Sequence, residues 1–276
     1  MKPDPATVQF WQTRAEAYDR MCRGREIFAL LSNRLIDLLP ANLCGTVLDI
    51  GAGSGLTSEL LLKRHARCNS ILIEPSDAMT RIARRHLSGL PAQFRVMGLD
   101  EVRGAPHRAS AAIASASMHF LEFEPAFGML KQLLAPGASA VFNLWWHHWE
   151  ETVLLEQPRG WVSIARVACL EAGVPPPPDF TQPATLTKTR AELDRACRAH
   201  GISLVAEHRD TYSTPVGVGV DFQAMDPDWP AKGLSAALRA AVIGHMHELA
   251  NGQVESLTST RFHLQMPGVA PVAERA

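Results

Sequence analysis

Thr46-Val47-Leu48-Asp49-Ile50-Gly51-Ala52-Gly53-Ser54-Gly55 is the stretch on which the fold turns. An apolar run that reads as a buried strand leads directly into three glycines at alternating positions, and a helix is predicted from about Leu56. Glycine suits such a place because the chain must turn tightly and approach a ligand within a distance that a Cβ would block. The turn then presents free N–H groups at a helix N-terminus, which favours an anionic or strongly polar ligand group. Tight connections of every kind use glycine, so the sequence beyond is needed to sharpen the reading. Ser70-Ile71-Leu72-Ile73-Glu74 predicts a second strand that ends in a carboxylate, with Pro75 directly after it. A carboxylate about 20 residues past the glycines is where a doubly wound nucleotide fold places its acceptor for ribose hydroxyls.

Two ligand classes use that geometry. A dinucleotide fingerprint needs its third glycine three residues after the second, and Leu56 stands there; the third glycine is Gly55 instead. The pattern VLDIGAGSG followed by ILIEPSDAM resembles the class I S-adenosylmethionine (SAM)-dependent methyltransferases. The resemblance covers residues 8–145 well and the remainder loosely. It implies a Rossmann-like α/β fold, doubly wound, with a mostly parallel seven-stranded sheet and helices on both faces. It also implies SAM as co-substrate, with Gly51, Gly53 and Gly55 against its methionyl part, Asp49 positioning that part and Glu74 holding the ribose hydroxyls. Pro75 and Ser115 fall at the same strand ends. Met79 falls where the family sets an apolar residue against the adenine, although a core role serves it equally. An acceptor for the adenine amino group belongs just past Gln93–Met97; the alignment there points to Leu99 and the chemistry to Asp100.

Phe10-Trp11-Gln12-Thr13-Arg14-Ala15-Glu16-Ala17-Tyr18-Asp19 resembles the entry segment of small-molecule methyltransferases, which places Trp11 and Tyr18 near the cofactor. Read without the resemblance, this is an amphipathic helix with Tyr18 in the core. Alternation of strand and helix from Thr46 to Leu144 at βαβ spacing independently predicts a parallel sheet covered on both sides. The organisation that follows is a helical cap segment over 1–40, a SAM-binding core over 41–145 and a helical lid over 146–188. Residues 189–276 complete the sheet and carry a second lid insertion at about 213–253. Helix D is expected over Phe123–Leu134, stopped by Pro136-Gly137, and a helix of roughly 20 residues is expected after Trp149.

Across 276 residues the net charge is −1, so no general nucleic-acid or anionic-membrane surface is indicated. Five cysteines without CxxC spacing argue against a disulfide framework and a zinc site, and fit a cytoplasmic protein. No apolar run is long enough for a membrane span. Ser110 stands where metal-dependent catechol-type relatives open their strand with aspartate, so no metal is expected. Ser115-Ala116-Ser117-Met118 lacks the Asn/Asp-Pro-Pro-aromatic tetrad of amide and nucleobase methylases.

Methyl transfer from a sulfonium is an in-line displacement that draws on alignment and desolvation, and it needs a base only for a protonated nucleophile. His119, His147 and His148 border the expected methyl position and are candidates for that base, against the alternative of packed structural histidines. Tyr18 is a further catalytic candidate. Trp145, Trp146 and Trp149 read either as an aromatic acceptor site or as lid core. The function implied is methyl transfer to a small-molecule acceptor in a capped pocket, with a homodimer compatible with it. Three alternatives stand beside it: cyclisation of SAM itself with release of methylthioadenosine, a non-catalytic SAM-binding partner subunit, and a nicotinamide dehydrogenase.

Overall fold

The computed structural model describes residues 4–102, 108–145, 148–149, 160–177 and 187–268. Seven strands form one sheet in the order β3-β2-β1-β4-β5-β7-β6. They are β1 Gly45–Ile50, β2 Cys68–Ile73, β3 Ala92–Arg95, β4 Ala109–Ala114, β5 Leu134–Trp145, β6 Ser203–Pro215 and β7 Val254–Gln265. The first five pair in parallel, while β7 runs antiparallel to both β5 and β6. Strand order reverses at β1, which lies between β2 and β4, and a crevice opens at the carboxyl ends of the strands beside such a reversal.

Alternate residues of the central strands serve two separate cores. Leu48, Ala112 and Phe142 pack with Phe127, Leu193 and Phe262 on one face. Val47, Ile113 and Val141 pack with Leu35, Leu61 and Leu72 on the other. The helices that close these layers are α2 Glu26–Ile36, α3 Leu56–Arg64 and α4 Asp77–His86, then α5 Phe123–Leu133 and, after the lid, α7 Arg190–His200. Ser76 caps α4 by accepting from the Met79 N–H, and a reciprocal Thr189–Glu192 box caps α7, which ends at left-handed Gly201.

A third core belongs to the cap alone. Helices α6 Gly160–Glu171, α8 Gly217–Ala224 and α9 Ala236–Ala250 bury Trp161, Ile164, Val220, Trp229, Val242 and Met246 among themselves. The first helix, α1 Pro5–Gly24, lies between α4 and this cap, with Ala15 packing on Met79 and Ile82, and Met21 and Cys22 on Met225.

One sequence expectation needs correction, and another falls outside the described residues. Pro136-Gly137 does not end a helix: α5 stops at Leu133, and β5 begins at once because Leu134 already pairs with Ala109. The pair instead lies within β5, where the register to β4 shifts and Gly137 takes φ 74°. Strands β6 and β7 are long, at 13 and 12 residues. They pair from Ser203↔Gln265 to Pro215↔Val254, which confines the second insertion to the residues between those ends. The described lid helix is the 12-residue Gly160–Glu171; residues 150–159, where the expected longer helix would begin, lie outside the described residues.

Candidate active site

The glycine turn is left-handed at all three positions, with φ 64° at Gly51, 54° at Gly53 and 84° at Gly55. Space explains only part of the requirement. A Cβ on Gly51 would lie 2.5 Å from the Ser117 Cβ, and one on Gly55 would lie 2.9 Å from Leu87 and 3.1 Å from Ala83. Those two glycines therefore admit the protein's own neighbours. Gly53 alone faces open space, and a Cβ there would meet only the Tyr18 ring, at 3.8 Å.

Glu74, buried at the end of β2, locks this turn to its neighbour. One oxygen accepts from the Gly53 N–H at 2.9 Å and the other from the Ser76 N–H at 2.8 Å. Burial pushes its carboxyl up to about 7, with the Asp49 charge adding to the rise. Asp49 is turned inward. It accepts from the Ser58 hydroxyl at 2.6 Å, Ser58 lies 2.7 Å from the Ser70 hydroxyl, and burial raises the Asp49 carboxyl to about 6. It thus braces the first turn of α3 from the strand beneath.

Helix α1 covers the turn. Tyr18 is half-buried over Gly53, and burial holds its phenol well above the ordinary range, which leaves it a hydroxyl donor and a poor base. Trp11 meets Tyr18 edge-on at 5.1 Å, Phe120 at 6.4 Å and Phe222 at 6.5 Å, which links α1, the loop after β4 and the cap. Met79 is fully buried between α1 and α4, and so fills a core; Pro75 is half-buried beside Glu74. Gln12 and Asp19 also belong to this junction and were not apparent from the sequence. The Gln12 carbonyl accepts from the Ser76 hydroxyl and the Ala78 N–H. Asp19 would be raised by burial, but bonds from His86, Ser54 and Arg23 hold its carboxyl below the ordinary value.

Past β3, Leu99–Glu101 forms a short 3-10 turn in which Leu99 joins the sheet core. Leu99 and Asp100 together line a shallow groove completed by Leu121, Glu122, Ala126 and Met129. After β4, Ser115 is half-buried, Ala116 takes the left-handed φ 51°, and Ser117 donates to the Ile50 carbonyl at 2.5 Å. His119 and His148 are both buried and stack at 3.8 Å with planes 4° apart; Phe120 lies 4.0 Å from His119 on the same loop. His147 and Trp146 lie outside the described residues. Trp149 is core, edge-on to Phe262 at 5.0 Å, and Trp145 is half-buried at the end of β5. Among the described residues there is no His/Cys/Asp/Glu group able to hold a metal, and no helix long and apolar enough to cross a membrane.

Comparisons with known proteins bear on the family resemblance and on the fold. A methyltransferase domain model matches residues 47–137. The 18S rRNA (guanine(1575)-N(7))-methyltransferase of Saccharomyces cerevisiae is 30% identical over 121 residues, covering 43% of this chain and 42% of that protein. The match therefore spans less than half the length of that curated relative. Among solved structures, a mycolic acid cyclopropane synthase complexed with SAH and CTAB superposes with TM-score 0.61 at 13% identity, over 96% of this chain and 99% of that one. A geranyl diphosphate methyltransferase in complex with SAM gives 0.53 at 15% identity, over 87% and 86%. At these identities the likeness is one of fold.

Proposed function

We propose that this chain, whose residues 47–137 match a methyltransferase domain model, moves a methyl group from SAM to a small acceptor held beneath its helical cap. The observation that carries the reading is Glu74, a buried carboxylate at one strand end bonded to the Gly53 N–H of the adjacent turn. Each of its oxygens accepts one backbone N–H and keeps a second lone pair, so the residues present fit a vicinal diol such as ribose. SAM supplies a methyl on a sulfonium, and the S–C bond breaks with its electron pair left on sulfur as the bond from methyl to acceptor forms. The chain's contribution is placement and exclusion of water. Gly53 allows close approach, Tyr18 closes over it, and Trp11 ties that lid to Phe120 and Phe222. His119, stacked on His148, would accept the proton of an acceptor that arrives protonated.

A small acceptor is supported by the cap, which packs on α1, while α1 in turn reaches the loop after β4 through Trp11 and Phe120. An rRNA acceptor draws support from the curated relative's name. That match spans 121 residues, and a net charge of −1 gives little attraction for phosphates. Product analysis decides between them. The pure protein is incubated with SAM alone, with a deproteinised metabolite extract, and with total RNA. S-adenosylhomocysteine accumulating only with the extract is expected. Accumulation only with RNA overturns the small acceptor, and methylthioadenosine from SAM alone makes SAM the substrate.

A further inference from the structure

Ala116 is the only non-glycine residue with positive φ among those described, and it sits where β4 delivers its loop to the glycine turn. A left-handed alanine costs about 1–2 kcal/mol against its ordinary conformations, so something must hold it. Its N–H donates to the Asn143 side-chain oxygen at 2.9 Å. Asn143 stands on β5 in the apolar run Ala140–Trp145 and is only 2% exposed. The backbone donor fixes which end of the amide faces Ala116, and the Nδ2 end then donates to the Ser259 hydroxyl at 3.0 Å. Ser259, fully buried on β7, passes its own hydrogen to the Leu144 carbonyl at 3.3 Å. Every member of this chain of bonds is satisfied, and it crosses from β7 through β5 to the end of β4.

On the far side of Ala116, Ser117 packs against Gly51 so closely that no Cβ fits there, and it donates to the Ile50 carbonyl. The loop is thus gripped from both sides, with the glycine turn on one and Asn143 on the other. We propose that Asn143 is a positioning residue of the active site, which holds Ala116 in its left-handed bend and so sets the wall of the glycine turn against which SAM rests. This assignment rests on the SAM-binding reading above, but the local device is testable without it.

The test uses Asn143→Ala, Ala116→Gly and the double variant in the full chain, with S-adenosylhomocysteine as the probe. Hydrogen exchange reports the Ala116 amide, and calorimetry reports affinity. Asn143→Ala is expected to speed exchange at residue 116 and to weaken the probe about tenfold. The double variant is expected to recover most of that affinity, because glycine adopts the bend without strain. General loosening of the core would not be rescued by a glycine one strand away. Unchanged exchange at residue 116 in Asn143→Ala overturns the proposal, as does equal affinity loss in the single and double variants. Should the wild-type chain not bind the probe at all, the SAM reading and this role at its site fall together, while the exchange result still decides whether Asn143 holds the bend. Asn143→Ala that fails to fold is replaced by Ser259→Ala, which frees the far end of the amide and is expected to give the same signature at smaller size.

Discussion

Burial at the end of β2 moves the Glu74 carboxyl from an ordinary value of 4.5 to about 7, and the sign of the consequence follows from linkage. Between those values the folded chain holds a proton that the unfolded chain has released, so stability falls as pH rises through that window. The size is ~3 kcal/mol at most. Glu74→Gln is therefore expected to flatten the decline in thermal midpoint between pH 5 and pH 8. It should also weaken S-adenosylhomocysteine at least tenfold, since a charge-assisted contact to the sugar is lost. A pH profile that keeps its slope in the variant assigns the proton elsewhere. For the wild type, affinity is expected to rise across pH 7 as the carboxylate forms. Glu74 was legible because a strand-terminal carboxylate at that spacing is a local pattern. Asn143 was not, although a lone amide inside Val141-Phe142-Asn143-Leu144 signals a buried group that must find a partner. Asp49 was only half legible, for its position was clear and its inward turn to Ser58 depends on a helix packed from above.

Elements that carry their own punctuation are legible in the sequence, and those set by pairing are not. Thr189 with Glu192 opens α7 and Gly201 closes it, all within the segment's own sequence. Thr189→Ala is expected to cost about 1 kcal/mol in chemical denaturation, the usual worth of such a cap. Pro136-Gly137 carries an equally strong local signal, yet the strand wins there because β4 offers Leu134 a partner. The length of β6 and β7 has the same origin, since two polar strands with weak alternation gain their definition from each other. In the cap, Gly219 is the position at which helices α6 and α8 touch. A Cβ there would lie 2.2 Å from the Trp161 ring. Gly219→Ala is expected to cost about 1–3 kcal/mol by displacing that ring, with faster amide exchange across Gly160–Glu171 as the readout. A variant with wild-type exchange there would mean that Trp161 has room to move aside.

At the scale of the whole molecule, the cap is moored to α1 by charge as well as by apolar contact. Arg14 meets Asp226 at 2.7 Å, Arg25 pairs with Asp221, and His247 lies 3.2 Å from the same Asp221. Each partly exposed pair contributes little to stability, below about 1 kcal/mol. Their effect is expected in local opening. The double variant Arg14→Ala/Arg25→Ala should raise amide exchange across Gly217–Ala224 several-fold, with only a small change in global midpoint, and salt at about 1 M should reproduce part of it. Equal exchange in variant and wild type would leave the apolar contacts of Met225 and Phe222 as the whole attachment. These ion pairs were not open to sequence reasoning, because Arg25 finds its partner 196 positions later. The cap's interior of Trp161, Val220, Trp229 and Met246 shares no member with either of the two cores that flank the sheet. Substitutions confined to that interior can therefore reshape the roof without touching the two cores that hold the sheet.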